Sequence, residues 1–100
     1  MIKHIVMWRV RGETSDARRA ASERVKQLFE QLRTLIPGLL KLEVGIDISG
    51  VDYACDVVLY TEFESVSALE AYAAHPEHLR VRNELGDLRM ARFQVDYVTG

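Results

Sequence analysis

The 100-residue sequence holds one cysteine, two prolines and three histidines, and each scarcity narrows what the chain can be. With Cys55 alone, no intrachain disulfide can form, and a reducing cytoplasm is the simplest setting. Cys55 falls in an apolar stretch and reads as a packing residue of a strand. No glycine-rich phosphate loop is present, because Gly12, Gly38, Gly45 and Gly50 are isolated. Basic residues are scattered, with only Arg18 and Arg19 adjacent, so a nucleic-acid footprint is not expected. Long hydrophobic runs are missing too: the opening MIKHIVMWRV is too short and too interrupted by charge for a membrane span or a signal peptide. No serine or cysteine stands near a histidine in a way that suggests nucleophilic catalysis.

What remains is a chain with 48% hydrophobic residues, well-mixed charges and a net charge of −2, an ordinary globular composition. Its length allows one small domain, residues 1–100, with a large surface for its volume. The first stretch, about 3–11, alternates. Ile2, His4, Val6, Trp8 and Val10 share one face, and Ile5, Met7, Arg9 and Arg11 share the other. Thr14, Ser15 or Asp16 can cap a following helix whose apolar residues Ala17, Ala21, Val25, Leu28, Phe29, Leu32, Leu35 and Ile36 keep helical spacing. Pro37 and Gly38 stop it. A second strand alternates through Leu40, Leu42, Val44, Ile46 and Ile48, and a third runs from about Ala54 to Phe63. Ser65 caps a short helix that must end at His75, since Pro76 follows. Pro76 opens another turn or two of helix, and residues 91–98 form the last strand.

The order βαββαβ predicts an α+β fold of ferredoxin-like form, an antiparallel sheet with its helices on one face. Those helices cannot cover both faces, yet the strands are apolar on both. A bare sheet face would forgo about 1.5–3 kcal/mol for each large apolar side chain left in water. A homodimer joined through the face carrying Ile5, Met7, Val58 and Tyr60 resolves the conflict.

The segments KHIVMWRVRGE, FESVSALEAYAAHPEH and VDYV resemble the stress-responsive A/B barrel domain family over nearly the whole chain. The specific parts are the first-strand HIV, the run F-x-S-x-x-x-L-x-x-Y-x-x-H-P-x-H and the terminal Asp-Tyr. The resemblance implies a ferredoxin-like subunit whose dimer closes two sheets into an α+β barrel. Some plant members cyclise polyketides with the tyrosine and last histidine of that run, which are Tyr72 and His78 here. The carry-over extends to the first-strand His4. This chain has Phe29 where those cyclases carry a tyrosine, and Val57 where they carry a histidine.

Tyr72 and His78 are therefore the candidate catalytic pair. His78 is the third residue of a helix, whose positive end disfavours an imidazolium and leaves a neutral base. Tyr72 would polarise a substrate carbonyl. His75 is expected to serve the helix junction. His4, Val6, Trp8, Phe29, Val57 and Asp96 are expected to line a ligand pocket, with Asp96 on the neighbouring strand orienting His4. The expected ligand is a small apolar or carbonyl-containing compound, turned over without a cofactor by cyclisation or isomerisation. The alternative is a non-catalytic stress-responsive dimer that binds a small apolar ligand. Metal binding is disfavoured, because proline breaks the helix that would align His75 with His78. A related dimeric barrel family degrades haem, but nothing in the spacing here favours a haem-ligating histidine.

Overall fold

The computed structural model describes residues 1–100. Seven elements follow in order: β1 (Ile2–Val10), α1 (Ser15–Glu30), β2 (Leu39–Ile46), β3 (Val57–Phe63), α2 (Val66–Ala74), α3 (Pro76–Leu85) and β4 (Arg89–Val98). The strands form one sheet in the order β2-β3-β1-β4, with every neighbouring pair antiparallel. That is the ferredoxin-like arrangement. No helix is long and apolar enough to cross a membrane.

The alternation of β1 decides its two faces. Ile2, His4, Val6, Trp8 and Val10 are all buried beneath the helices. They meet Val25, Leu28 and Phe29 of α1, Val57, Leu59 and Phe63 of β3, and Tyr72 of α2 in one core. Trp8 is 3% exposed and stacks on Phe29, their ring centres 5.0 Å apart. Burying and stacking an aromatic pair in this way adds about 0.5–1.5 kcal/mol beyond the area removed from water.

Thr14 is the residue that caps α1, its hydroxyl accepting from the Ala17 N–H at 3.0 Å. The helix ends at Glu30 instead of continuing to Pro37. Beyond it, Leu32 donates to Phe29 and Leu35 to Leu32, the tighter i to i−3 pattern. Those turns still deliver Leu32 and Ile36 to the core. Gly38 has φ of 79°, and a Cβ there would sit 2.6 Å from the Ala68 Cβ, so the turn into β2 needs glycine on both counts.

The expected alternation of β2 holds at Leu42 and Val44, which are buried, but not at its ends. A register shift between Leu39 and Lys41 turns Leu40 outward, because a bulge reverses the facing of the residues beyond it. Ile48 lies past the strand and is 98% exposed. The third strand begins at Val57, so Cys55 sits in the irregular approach to it. Asp56 fixes that approach: its N–H donates to the Trp8 carbonyl, and its carboxylate accepts from the Val10 N–H. Backbone pairing in that segment goes to β1 before the β3 ladder starts.

Strand β4 is oriented unlike a core strand. Register places Phe93 opposite Met7, Val95 opposite Ile5 and Tyr97 opposite Lys3, all on the face without helices. The intervening Arg92, Gln94 and Asp96 lie opposite Trp8, Val6 and His4, on the helix side. A polar row thus enters the space between sheet and helices.

Candidate functional site

Pro76 creates the site by breaking a helix. His75 before it is extended, with φ −67° and ψ 136°, as a residue preceding proline prefers. Its Nδ1 accepts from the Glu77 N–H at 3.1 Å, so His75 caps α3 with its own side chain. The change of direction brings His78, in the first turn of α3, back over Tyr72, in the last turns of α2. Their ring centres are 4.4 Å apart.

These two rings wall a cleft of about 460 Å³ between α2, the start of α3 and the outer half of the sheet. Its polar lining includes His4, Tyr72, His78, Arg92, Gln94 and Asp96, and Ile2, Leu69 and Val98 supply apolar surface. His4 Nδ1 lies 2.5 Å from Asp96 Oδ1, with His4 buried and Asp96 about one-third exposed. Gln94 donates to the other Asp96 oxygen at 3.0 Å, and Arg92 donates to Gln94. A continuous hydrogen-bonded row runs from Arg92 to His4, whose ring stands edge-on to Tyr72 at 6.1 Å. The β1–β4 register makes this row, since it sets His4 directly opposite Asp96.

The two candidate catalytic groups have opposite hydrogen-bond needs. The Tyr72 hydroxyl is buried and has no hydrogen-bond partner. Burial pushes its acidity well below that of an ordinary phenol, against a smaller opposing influence of Arg92 and Arg89, so it stays an O–H donor. His78 is half-buried, and desolvation lowers its pKa below the usual histidine value. The Ala73 carbonyl opposes this, while Arg82, Arg89 and Arg92 add to it. The imidazole is therefore neutral at pH 7. Nδ1 lies 3.2 Å from the Ala73 carbonyl, which selects the Nδ1–H tautomer and leaves Nε2 with a free lone pair.

Four of the residues expected at the site come together around this cleft: His4, Tyr72, His78 and Asp96. The other four do not. Val6, Trp8, Phe29 and Val57 are buried within the close-packed core, and none lines the cleft. The reason is the position of α1, which packs over the middle of the sheet, while this cleft lies at the end bounded by α2 and β4. Arg92, Gln94 and Glu70 were not anticipated as lining residues. The alternation in ARFQVDYV carried the signal for two of them, because Arg92, Gln94 and Asp96 occupy one face of a strand whose other face is apolar. No three histidine, cysteine, aspartate or glutamate side chains converge as a metal site.

Among curated proteins, none matches the chain by sequence. Solved structures match it closely. A dimeric protein of ferredoxin-like fold from Bacteroides fragilis shares 28% identity over 98% of this chain and 95% of its own, with a TM-score of 0.85. A dimeric ferredoxin-like protein from Thermobifida fusca shares 20% identity, covering 98% and 90%, with a TM-score of 0.81. The hydroxynitrile lyase of Passiflora edulis shares 16% identity, covering 99% and 93%, with a TM-score of 0.79, a likeness of fold. The sequence pattern of the stress responsive A/B barrel domain (Dabb) matches residues 2–99. With that match spanning every strand and helix described above, the chain belongs to the stress responsive A/B barrel domain family.

Proposed function

We propose that the cleft binds a small carbonyl compound and moves a proton on it without a cofactor, in a cyclisation, isomerisation or related lyase step. The observation that carries this reading is the unpartnered Tyr72 hydroxyl beside a neutral imidazole. A buried donor left unpaired costs about 1–3 kcal/mol, which a carbonyl oxygen seated at Tyr72 would return on binding. His78 Nε2 takes a proton from the carbon next to that carbonyl. The C–H electron pair becomes the new C–C π bond, and the negative charge moves to oxygen, where the Tyr72 O–H stabilises it. The imidazolium then gives a proton back to carbon or to a leaving group. Asp96 holds the His4 ring, and with it the edge that Tyr72 packs against. That a lyase from Passiflora edulis is built on this fold supports an enzyme at the level of fold alone.

The working unit is a homodimer joined through the open sheet face. The dimeric state of the Bacteroides and Thermobifida relatives supports this, as does the apolar strip of Ile5, Met7, Val58 and Tyr60. Strand β4 extends that strip with Phe93 and Val95, 53% and 57% exposed in the single chain. A lone cysteine and no disulfide suit a cytoplasmic protein.

The reaction class is tested by deuterium exchange. The protein is incubated in D2O with phenylacetone or phenylpyruvate, and loss of the proton next to the carbonyl is followed by NMR. Exchange well above the buffer rate is expected for at least one of them. No acceleration of either would remove the proton-transfer reading.

A further inference from the structure

Of the ten arginines, five pair with a carboxylate, and Arg9 and Arg18 donate to the backbone carbonyls of Asp52 and Gly12. Arg80 bridges Glu77 and Glu84, Arg24 reaches Glu84, Arg33 reaches Glu30, Arg19 reaches Glu23 and Arg11 reaches Asp87. Arg82, Arg89 and Arg92 are exceptions that lie together. None of the three has a carboxylate partner, and only Arg92 makes a side-chain hydrogen bond, to Gln94. Together with Trp8 they line a depression of about 220 Å³, and Arg92 belongs both to it and to the cleft of Tyr72 and His78. Arg89 is half-buried, its guanidinium 5.2 Å from the Trp8 ring centre and 5.8 Å from that of Phe29. The guanidinium lies against the aromatic pair, and its N–H groups make no hydrogen bond within the protein.

Like charges gathered without a counter-ion repel one another, and half-burying one of them adds a desolvation cost. In a chain of net charge −2, with 15 acidic residues available, the grouping has no balancing partner within the fold. A planar guanidinium held on an aromatic surface, with a second beside it, suits a two-oxygen anion gripped by paired N–H groups. We infer that Arg89 and Arg92, with Arg82 at the rim, bind an anionic oxygen group of the substrate, a carboxylate or a phosphate. The substrate class is then a small carbonyl compound carrying such a group, its anion on the arginines and its carbonyl at Tyr72. This extends the proton-transfer reading to the kind of molecule turned over. It also divides the work between two neighbouring sites that share Arg92: His4, Tyr72 and His78 handle the carbonyl, and the arginines anchor the charge.

The test is binding, measured by NMR on the histidine ring and arginine Nε–H signals, with benzoate, phenyl phosphate and neutral benzamide as probes. At least one anion should bind tenfold or more tightly than benzamide, shift the Arg89 and Arg92 signals, and weaken as salt is raised. Tighter binding of benzoate assigns a carboxylate, and tighter binding of phenyl phosphate assigns a phosphate. Arg89→Gln should bring the anion-to-benzamide ratio down toward one. Arg92→Gln, at an exposed position, should do the same without touching the stack on Trp8 and Phe29, which keeps the test open if the first variant folds poorly. Equal binding of all three probes, or ratios unchanged in both variants, would overturn the inference. Exchange of neutral phenylacetone reports on the proton-transfer site alone. Exchange of that ketone without anion preference therefore rejects the anion pocket and spares the reaction. Anion preference without exchange of any ketone does the reverse.

Discussion

The Tyr72 ring and the His78 imidazole pack 4.4 Å apart, centre to centre, across the break that Pro76 makes between two helices. One presents a buried hydroxyl with nothing to bond, and the other a neutral ring with one nitrogen already committed to the Ala73 carbonyl. Both residues line the same cleft, and no hydrogen bond joins them.

Tyr72→Phe separates stability from function. Removing a buried hydroxyl that has no partner should leave stability unchanged or raise it by about 1 kcal/mol. The same change should slow exchange on a ketone by about 10²-fold or more. Denaturant midpoints check the first half. A clear loss of stability would show that the hydroxyl is bonded in the free protein.

His78 should titrate below the free-histidine value of about 6.5, because desolvation and three nearby arginines all disfavour its charged form. With the folded pKa depressed, the linked stability is complete above the unfolded value and is lost as pH falls through the folded one. Activity that needs the neutral base should decline over the same low range and be level at neutral pH. NMR titration of the ring protons reads this directly. Protonation at or above 6.5 would contradict the assigned environment.

Much of this architecture was legible in the residues, for identifiable reasons. The faces of β1 followed from strict alternation, and the helix break followed from a proline that cannot continue a helix. The pairing of His4 with Asp96 followed from the adjacency of first and last strands, although the exact register came only with the fold. Three features resisted. The outward turn of Leu40 depends on a bulge that leaves no residue signature. The early end of α1 depends on a switch to tighter turns that keep Leu32 and Ile36 inside but leave the expected core residue Leu35 exposed. The exclusion of Val6, Trp8, Phe29 and Val57 from the cleft depends on where α1 lies across the sheet, a tertiary fact that no local pattern contains.

The sheet face opposite the helices should be the dimer contact. Met7→Glu combined with Val58→Glu places two unpaired charges in it and should give monomer or aggregate. Phe93→Glu, on the same face of β4, should act alone in the same direction. Light scattering at micromolar concentration measures the mass. An unchanged dimer in both variants would move the contact elsewhere.

Trp8→Ala should cost about 3–5 kcal/mol, since it empties a fully packed site and removes the stack on Phe29. The native tryptophan should emit well to the blue of its position in water. A water-like emission maximum would contradict its burial.

A double-mutant cycle on proton exchange tests the central claim most directly. Wild type, Tyr72→Phe, His78→Gln and the double variant are compared for exchange of the ketone that wild type turns over fastest. If the two side chains act on one substrate as donor and base, each single variant should lose about 10²-fold or more. The double variant should lose little beyond the worse single one, because residues acting as a unit are not additive. Exchange in the single variants at the wild-type rate would contradict the account.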